Sequence, residues 1–220
     1  MFADQPCAEP GCHVTHIYHI THIDNLPSIL LTSGLDAKSV TGKGGTGYTD
    51  IAHQNIQDRR ARVSVPKPPF GTLHDYVPFY FAPRAPMLYA IHKGAVVGYS
   101  GGQNEIVYLV STVNAVATNG TPFVFTDGHA IMAYTNFYTD TSDLARLNWE
   151  ILRARYWQDR APGDDRKRRR QAEFLVYQHF AWELTERIAV PSREIGEKVE
   201  GILAAVSHRP AVTLRRDWYY

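Results

Sequence analysis

The sequence has 220 residues, of which 44% are hydrophobic and 20% charged, with a formal net charge of +1. This balance is typical of a folded domain and argues against a disordered or fibrous chain. No apolar stretch approaches the roughly eighteen residues that a membrane-spanning helix needs. Two cysteines, Cys7 and Cys12, cannot form a disulfide framework, so we expect a reducing, cytoplasmic location. The first ten residues lack the basic start and the apolar run of a secretory signal.

Runs of β-branched and aromatic residues predict several strands along the chain. Their ranges are 14–21, 76–81, 106–113, 123–125, 173–177, 187–190 and 211–214. Between the first two strands, Asp24 can cap a short helix that ends at Gly34. Near the end, apolar residues at helical spacing between Ile195 and Val206 predict an amphipathic helix. Strands separated by helices of uneven size predict a mixed α+β fold, in one domain over residues 1–220.

Two glycine-rich motifs resemble catalytic loops but do not fit them. Residues 98–102 read GYSGG and match the nucleophile elbow of serine hydrolases, which requires a helix after the serine. Here the predicted strand at 106–113 follows, which favours a glycine-rich loop. Residues 42–47 read GKGGTG, but Gly44 stands where a phosphate-binding loop needs Ser or Thr after its lysine. A loop that folds over a ligand is still compatible with the second motif.

Four histidines recur at every third residue, downstream of the two cysteines. They are His13, His16, His19 and His22. On a strand, alternate side chains point to opposite faces, so the four imidazoles cannot converge on one ion. The spacing of the cysteines is also looser than that of structural zinc sites. We therefore expect no metal.

Positive charge is concentrated in residues 151–170, which hold eight Lys or Arg and three Asp or Glu. A local basic patch can attract a nucleic acid even when the whole chain is nearly neutral. Aromatic residues in the same segment suit stacking on unpaired bases. The candidate contacts to single-stranded DNA are Tyr156, Trp157, Arg166, Arg168, Arg169 and Arg170. The alternatives are a solvated charged loop and aromatic side chains that belong to the core.

A glutamate stands at the start of the predicted strand 173–177, directly after the basic segment. On that strand Gln171 and Glu173 share one face. A carboxylate in this position can be pre-organised and still reach solvent. The alternative is a structural ion pair between Glu173 and one of the neighbouring arginines.

Four segments, in order along nearly the whole chain, resemble the DarT family of bacterial DNA ADP-ribosyltransferases. They are HITHIDNLP at 19–27, GTLHDYVPFYF at 71–81, FVFTDGH at 123–129 and RQAE at 170–173. DarT proteins are the toxins of toxin–antitoxin pairs. The resemblance implies an ADP-ribosyltransferase fold, a split mixed β core with flanking helices that binds NAD in an extended groove. It also implies transfer of ADP-ribose to a base of single-stranded DNA, most often thymine, and a macrodomain antitoxin as partner.

The same resemblance implies roles for individual residues. Glu173 corresponds to the catalytic glutamate, and His129 lies in a block that lines the active site. Arg60 corresponds to the arginine of the NAD site, with Arg59 and Arg62 as alternatives in the register. The residues implied to bind NAD are His19, Ile20 and Thr21, which correspond to the segment that holds nicotinamide, together with the neighbouring Asn25 and Leu35 and with Arg60.

The chemistry of such a transfer is compatible with these residue types. Cleavage of the nicotinamide–ribose bond passes through an oxocarbenium-like state, which the Glu173 carboxylate can stabilise. Thymine must lose the proton of its ring nitrogen, and either Glu173 or His129 can accept it. Two rival interpretations are left open. One is the same fold acting on guanine, RNA or protein, and the other is a non-enzymatic single-strand binder that uses residues 151–170.

Overall fold

The computed structural model describes residues 14–41 and 49–220. Cys7, Cys12, His13 and the GKGGTG segment therefore lie outside the described residues. The strands are β1 (His16–His22), β2 (Gly34–Asp36), β3 (Tyr76–Tyr80), β4 (Ile106–Thr112), β5 (Phe123–Thr126), β6 (Phe137–Tyr138), β7 (Glu173–Tyr177), β8 (His179–Ala181), β9 (Arg187–Val190) and β10 (Ala211–Leu214). The α-helices are α1 (Leu26–Leu31), α2 (Lys38–Thr41), α3 (Gln54–Arg60), α4 (Pro86–His92), α5 (Val113–Thr118), α6 (Trp149–Arg153), α7 (Arg166–Arg169) and α8 (Arg193–Leu203). Within the described ranges, every helix is too short or too polar to cross a bilayer.

Eight strands form one mixed sheet in the order β10-β9-β4-β1-β3-β7-β5-β6. β9 and β10 run parallel, and the other neighbouring strands are antiparallel. β2 and β8 form a separate antiparallel pair. This arrangement confirms the α+β class that the sequence predicts.

Both faces of the sheet are buried, because successive side chains of the central strands enter different cores. In β4, Val107 and Leu109 belong to a hydrophobic cluster that includes residues of α1 and α8. Tyr108 and Val110 belong to a second cluster with residues of α4. Every residue of β4 is buried, which explains why its sequence is a continuous apolar run.

The large sheet is split between β1 and β3. β1 pairs with β4 along its whole length, whereas it pairs with β3 at one register position, Tyr18 opposite Tyr80. The imidazole of His19 spans the gap, because its Nδ1–H donates to the carbonyl oxygen of Pro78 at 2.8 Å. The split mixed β core implied by the family resemblance is therefore present.

The predicted cap of the first helix is wrong. Asp24 lies inside a 3-10 turn, Ile23–Asn25, and its backbone N–H donates to the imidazole of His22. The α-helix begins after that turn, at Leu26, with Pro27 in its first turn. Proline favours this position because it lacks the backbone N–H that the first turn leaves unpaired. The helix ends at Leu31, three residues before the expected Gly34.

Two other predictions from the sequence pattern are confirmed. The amphipathic helix is α8, where the Oγ of Ser192 accepts a hydrogen bond from the Ile195 N–H at 3.2 Å. Its apolar residues Ile195, Val199 and Leu203 are buried. The GYSGG segment is followed by β4, so it does not have the strand–turn–helix geometry of a nucleophile elbow.

Arg168 fastens α7 to the segment that follows β5. Its Nη1 donates to Asp127 at 3.0 Å, and its Nε and Nη2 donate to the two oxygens of Asp165 at 2.7 Å. Its carbonyl oxygen accepts a hydrogen bond from the His129 N–H at 3.0 Å. A Cβ on Gly128 would lie 2.1 Å from the guanidinium, so this approach requires glycine. We call this arrangement the Arg168 clasp.

Three of the predicted DNA contacts are buried and serve the fold instead. Arg168 is neutralised by two carboxylates, which is the condition under which a buried guanidinium is stable. Trp157 is 4% exposed, and its Nε1 donates to the hydroxyl of Tyr220 at 3.1 Å. Arg170 is buried, and its Nη2 donates to the carbonyl oxygen of Pro83. Burial leaves these three side chains little surface for a DNA strand, and for Trp157 it favours the core alternative that the sequence analysis left open.

The Arg168 clasp predicts a specific non-additivity between two substitutions. Gly128→Ala should lower the free energy of unfolding by about 3 kcal/mol, because the added methyl group displaces a buried, ion-paired guanidinium. In an Arg168→Ala background the same change meets no guanidinium and should cost less than about 1 kcal/mol. Urea denaturation of the four proteins measures both values.

Gly201→Ala is the matched control, because a Cβ at this position in α8 meets no atom within 4 Å. It should be neutral or slightly stabilising. An equal cost of Gly128→Ala with and without Arg168 would contradict the clasp.

Candidate active site

Glu173 lies buried where three chain segments meet. It opens β7, directly opposite Tyr80 of β3, and is 2% exposed. Its backbone N–H donates to the Oγ1 of Thr126, the last residue of β5, at 3.0 Å. The following residues Phe174 and Leu175 are fully buried and hold the strand in register. The carboxylate is therefore pre-organised as the sequence predicts, but in this structure it does not reach solvent.

Both carboxylate oxygens of Glu173 have a donor from a distant part of the chain. The Nη1 of Arg60 donates to Oε2 at 2.7 Å, and the backbone N–H of Ala130 donates to Oε1 at 3.1 Å. The arginine comes from the end of α3, and the amide from the segment after β5. Glu173 therefore does form an ion pair, which was the alternative interpretation from the sequence. Its partner is Arg60 of α3 and not an arginine of the basic segment 151–170.

Arg60 is distinguished from the other arginines of its segment by burial. Arg60 is buried beside Glu173, whereas Arg59 and Arg62 are exposed. Its Nη2 is buried and has no hydrogen-bond partner among the described residues. A guanidinium has a planar fork of donors that suits carboxylate and phosphate oxygens. The free Nη2 is thus a donor available to an anionic or hydroxylated ligand beside Glu173.

His129 stands next to the amide that binds Glu173. Burial lowers the pKa of its imidazole, the Glu173 carboxylate acts in the opposite direction, and Arg60, Arg59 and Lys167 lower it further. The ring is therefore neutral at physiological pH and able to accept a proton. Arg59 and Lys167 lie near enough to His129 to lower its pKa, so they add positive charge to the surroundings of this imidazole.

Tyr80 is a site residue that the sequence analysis does not single out. It faces Glu173 across the β3–β7 pair, and its hydroxyl lies 3.7 Å from the Sδ of Met87. Burial and the nearby carboxylate raise the pKa of this phenol, so it stays protonated. The residue does lie in the GTLHDYVPFYF block, but nothing in its spacing marks it.

The segment of β1 implied to hold nicotinamide lies two strands from Glu173. Tyr18, Tyr80 and Glu173 stand opposite one another in successive strands, a span of about 10 Å at ordinary strand spacing. Ile20 points into the core with α4. His19 points to the other face, where its ring contacts Phe79. Among the described residues, β1 has no strand partner beyond Tyr18 on the side of β3.

Burial keeps His19 neutral, and its hydrogen bond to the Pro78 carbonyl fixes its tautomer. Desolvation lowers the pKa of the imidazole to about 4, although its hydrogen bond to Pro78 acts in the opposite direction. Because Nδ1 donates to the Pro78 carbonyl, the unprotonated nitrogen is Nε2. That nitrogen is buried without a partner among the described residues. The ring therefore offers one acceptor at the split of the sheet.

The remaining residues implied to bind NAD have structural contacts of their own. The side-chain amide of Asn25 donates to Thr21 Oγ1 at 3.1 Å and to the Thr49 carbonyl at 3.0 Å, and it accepts from the Thr49 N–H at 2.7 Å. Thr21 is fully buried. Leu35 is part of the hydrophobic core, opposite Phe180 in the small sheet. These contacts give Asn25 a structural role beside β1 and Leu35 one in the small sheet.

The exposed members of the basic segment lie around α7. Tyr156 is 69% exposed, and its carbonyl oxygen accepts a hydrogen bond from Arg166 at 3.1 Å. Arg169 donates to Asp165 at 3.1 Å and stays partly exposed. Lys167 is exposed and forms part of the charge near His129, although the sequence analysis does not choose it. Within the described residues, no group of three His, Cys, Asp or Glu could hold a metal ion.

Comparison with known proteins identifies close relatives. A family model described as "ssDNA thymidine ADP-ribosyltransferase, DarT" matches residues 18–220. A DNA ADP-ribosyl transferase of Thermus sp. (strain 2.9) is 49% identical over 217 residues, which cover 98% of each chain. A DNA ADP-ribosyl transferase of Escherichia coli O127:H6 is 39% identical over 198 residues, which cover 90% of this chain and 89% of the relative.

Solved structures agree with these matches. DarT of Thermus sp. 2.9 in complex with ADP-ribosylated ssDNA has a TM-score of 0.88 at 49% identity, covering 94% of this chain and 96% of that chain. The complex with NAD+ gives a TM-score of 0.85 at 46% identity, covering 95% and 99%. The resemblance seen in the sequence is confirmed, and the chain belongs to the DarT family of single-stranded DNA thymidine ADP-ribosyltransferases.

Proposed function

We propose that this protein transfers ADP-ribose from NAD+ to a thymine base of single-stranded DNA and releases nicotinamide. The observation that carries the proposal is the Glu173 carboxylate, fixed through both oxygens by Arg60 and the Ala130 amide. The expected enzyme class and the use of NAD as co-substrate are confirmed by family membership and by the relatives solved with NAD+ and with ADP-ribosylated ssDNA.

Glu173 acts on the sugar of NAD+. As the nicotinamide–ribose bond breaks, its electron pair leaves with nicotinamide and positive charge develops on the ribose. A fixed carboxylate stabilises that charge without reorganising, which is why a pre-formed position is effective. Arg60 orients Glu173 through Nη1 and has Nη2 free for an oxygen of the cofactor.

His129 or Glu173 accepts the proton from the thymine ring nitrogen as that nitrogen forms its bond to the ribose. The lowered pKa of His129 keeps its ring neutral at physiological pH, so the ring is able to accept this proton. Glu173 is the other candidate, since it lies next to the same amide. The pH profile of transfer by a His129→Asn variant separates these two assignments.

The nicotinamide end of NAD+ lies at the split between β1 and β3 in this proposal. Two features of the described residues support it: β1 has no strand partner on the side of β3 beyond Tyr18, and the Nε2 of His19 has no partner and can accept a hydrogen bond. A carboxamide carries one acceptor and two N–H donors, so it can pair with strand backbone and with such a nitrogen. Thr21 and Asn25 keep this segment in place through their mutual hydrogen bond.

The DNA strand reaches the site over the exposed part of the basic segment. Of the DNA contacts predicted from the sequence, Tyr156, Arg166 and Arg169 are at least partly exposed. Lys167 is exposed on the same helix and is a further candidate. We also propose that residues 1–220 form one catalytic domain, and that the protein is a toxin controlled by a macrodomain antitoxin, as the family resemblance implies. A DNA substrate supports the cytoplasmic location expected from the sequence.

Glu173→Gln should slow transfer strongly while keeping the shape of the side chain. We expect the rate of modification to fall by about 10² to 10³, the usual cost of removing one pre-organised electrostatic contact. Mass spectrometry of thymine-containing oligonucleotides incubated with NAD+ measures the added ADP-ribose. Oligonucleotides with guanine as the only reactive base, RNA and a protein acceptor are the comparison substrates.

Glu183→Gln is the control, because this glutamate is exposed in a 3-10 turn away from the site. Thermal unfolding of both variants reports whether Arg60 tolerates the loss of its partner. Full activity of Glu173→Gln would contradict the role of the carboxylate. DNA binding that falls with salt, together with no consumption of NAD+, would favour the non-enzymatic alternative.

The pH profile of transfer should report His129. If His129 is the base, kcat/KM should decline only as the pH falls through its lowered pKa, below about pH 6.5. His129→Asn should then remove that decline and reduce the plateau by about 10² or more. His92→Asn, at an exposed histidine, should keep the wild-type profile. An unchanged profile in His129→Asn would assign the proton transfer to Glu173.

A further inference from the structure

Tyr134 exposes its aromatic ring in the chain segment that also binds Glu173. The side chain is 62% exposed, although large aromatic residues are usually buried. It lies in the segment of residues 127–136, which connects β5 to β6 and supplies the Ala130 amide to Glu173. Tyr134 lies four positions after Ala130, so even a fully extended chain places their Cα atoms within about 14 Å.

The segment 127–136 is tied down rather than free. The Thr135 hydroxyl donates to the His129 carbonyl at 2.8 Å, and the Thr135 N–H donates to the Met132 carbonyl at 3.0 Å. Asn136 donates to both oxygens of Asp127, at 3.1 and 2.7 Å. Tyr134 therefore stands in a fixed position beside the active site.

One face of the Tyr134 ring is backed by the Arg168 clasp. The guanidinium carbon lies 5.1 Å from the ring centroid, within the range of a cation–π contact. Because Arg168 is buried and held by Asp127 and Asp165, it cannot move away from the ring at low cost. An exposed ring with one supported face and only two side-chain torsions loses little entropy when a planar ligand stacks on it.

The surroundings of Tyr134 favour a polyanion with planar groups. Lys167 and Arg59 add positive charge near His129 in the same region, and both are exposed. A single strand of DNA combines phosphates for such cations with bases that stack on aromatic rings. A flat apolar ligand without phosphates would leave the cations without a role.

We propose that Tyr134 is a stacking platform for the base that neighbours the acceptor thymine in the DNA strand. This inference rests on the proposed function. Stacking of the neighbouring base fixes the register of the strand, so that the acceptor base lies over Glu173 and His129. The phenol hydroxyl is not required for stacking, whereas the ring is.

The test pairs a protein variant with a substrate that lacks one base. Oligonucleotides with a single thymine carry an abasic site at each flanking position in turn, and kcat/KM for ADP-ribosylation is measured with saturating NAD+. With wild-type protein, one adjacent abasic position should lower kcat/KM by about 5- to 150-fold, the value of one base–aromatic stack. Tyr134→Ala should show the same loss on the intact oligonucleotide. On the abasic oligonucleotide, Tyr134→Ala should show no further loss, because the ring and the base act as one pair.

Three controls keep the interpretation specific. Tyr134→Phe should retain wild-type kcat/KM, because the ring is preserved. Phe70→Ala removes another exposed aromatic residue and should leave kcat/KM unchanged. The rise in melting temperature caused by NAD+ should be equal in wild type and Tyr134→Ala, which separates a DNA effect from damage to the cofactor site.

Two results would overturn the inference. One is an abasic penalty that is the same in wild type and Tyr134→Ala at every position. The other is loss of activity in Tyr134→Phe as large as that in Tyr134→Ala, which would assign the effect to the hydroxyl. Absence of modification of every oligonucleotide by the wild-type protein would instead count against the proposed function itself.

Discussion

The fixed carboxylate of Glu173 is the contact on which the site depends. Its two oxygens are bound by groups that lie far apart in the sequence, the side chain of Arg60 and the backbone of Ala130. Neither bond forms unless β7, α3 and the segment after β5 reach their native positions. Isolated carboxylates are costly to bury, so this pairing also makes burial of the glutamate possible.

Arginines of the basic segment divide into structural and accessible groups. Arg168 is buried in its clasp, where it supports the segment that carries both the Ala130 amide and Tyr134. Arg166 and Arg169 remain partly exposed on the same helix. This run of positive charges therefore contains a buried arginine that stabilises the fold and partly exposed arginines that add positive charge to the surface. The ion pairs of Arg168 hold α7, and with it Arg166 and Arg169, against the segment that follows β5.

The sequence predicts the strands well, because the predicted ranges 173–177, 187–190 and 211–214 coincide with β7, β9 and β10. β7 and β9 are mostly buried and carry strong apolar runs, whereas the residues of the edge strand β10 are half-buried or exposed. It does not predict β2, β6 and β8, which have two or three residues and so lack a readable period. The cap of α1 is missed because a 3-10 turn and Pro27 shift the start of the helix.

The roles of charged residues were harder to predict than the strands. Resemblance to a family identifies Glu173, Arg60 and His129 by matching residues, whereas composition only locates a basic segment. Whether an arginine of that segment faces solvent depends on Asp127, a residue 41 positions away along the chain from Arg168. The Ala130 contact uses a backbone amide, which any residue except proline provides, so no side-chain pattern could reveal it.

The limited pairing between β1 and β3 bears on how the two halves of the large sheet are held together. Among the described strands, β1 and β3 are paired at one register position, Tyr18 with Tyr80, and the His19 imidazole adds one hydrogen bond across this junction. The junction lies between the half formed by β10, β9, β4 and β1 and the half formed by β3, β7, β5 and β6, and the two halves also share a hydrophobic core. A dinucleotide that binds at this junction, as we propose, adds contacts to both halves of the sheet. Because such a ligand binds the folded protein and not the unfolded chain, its binding free energy also adds to the stability of the fold.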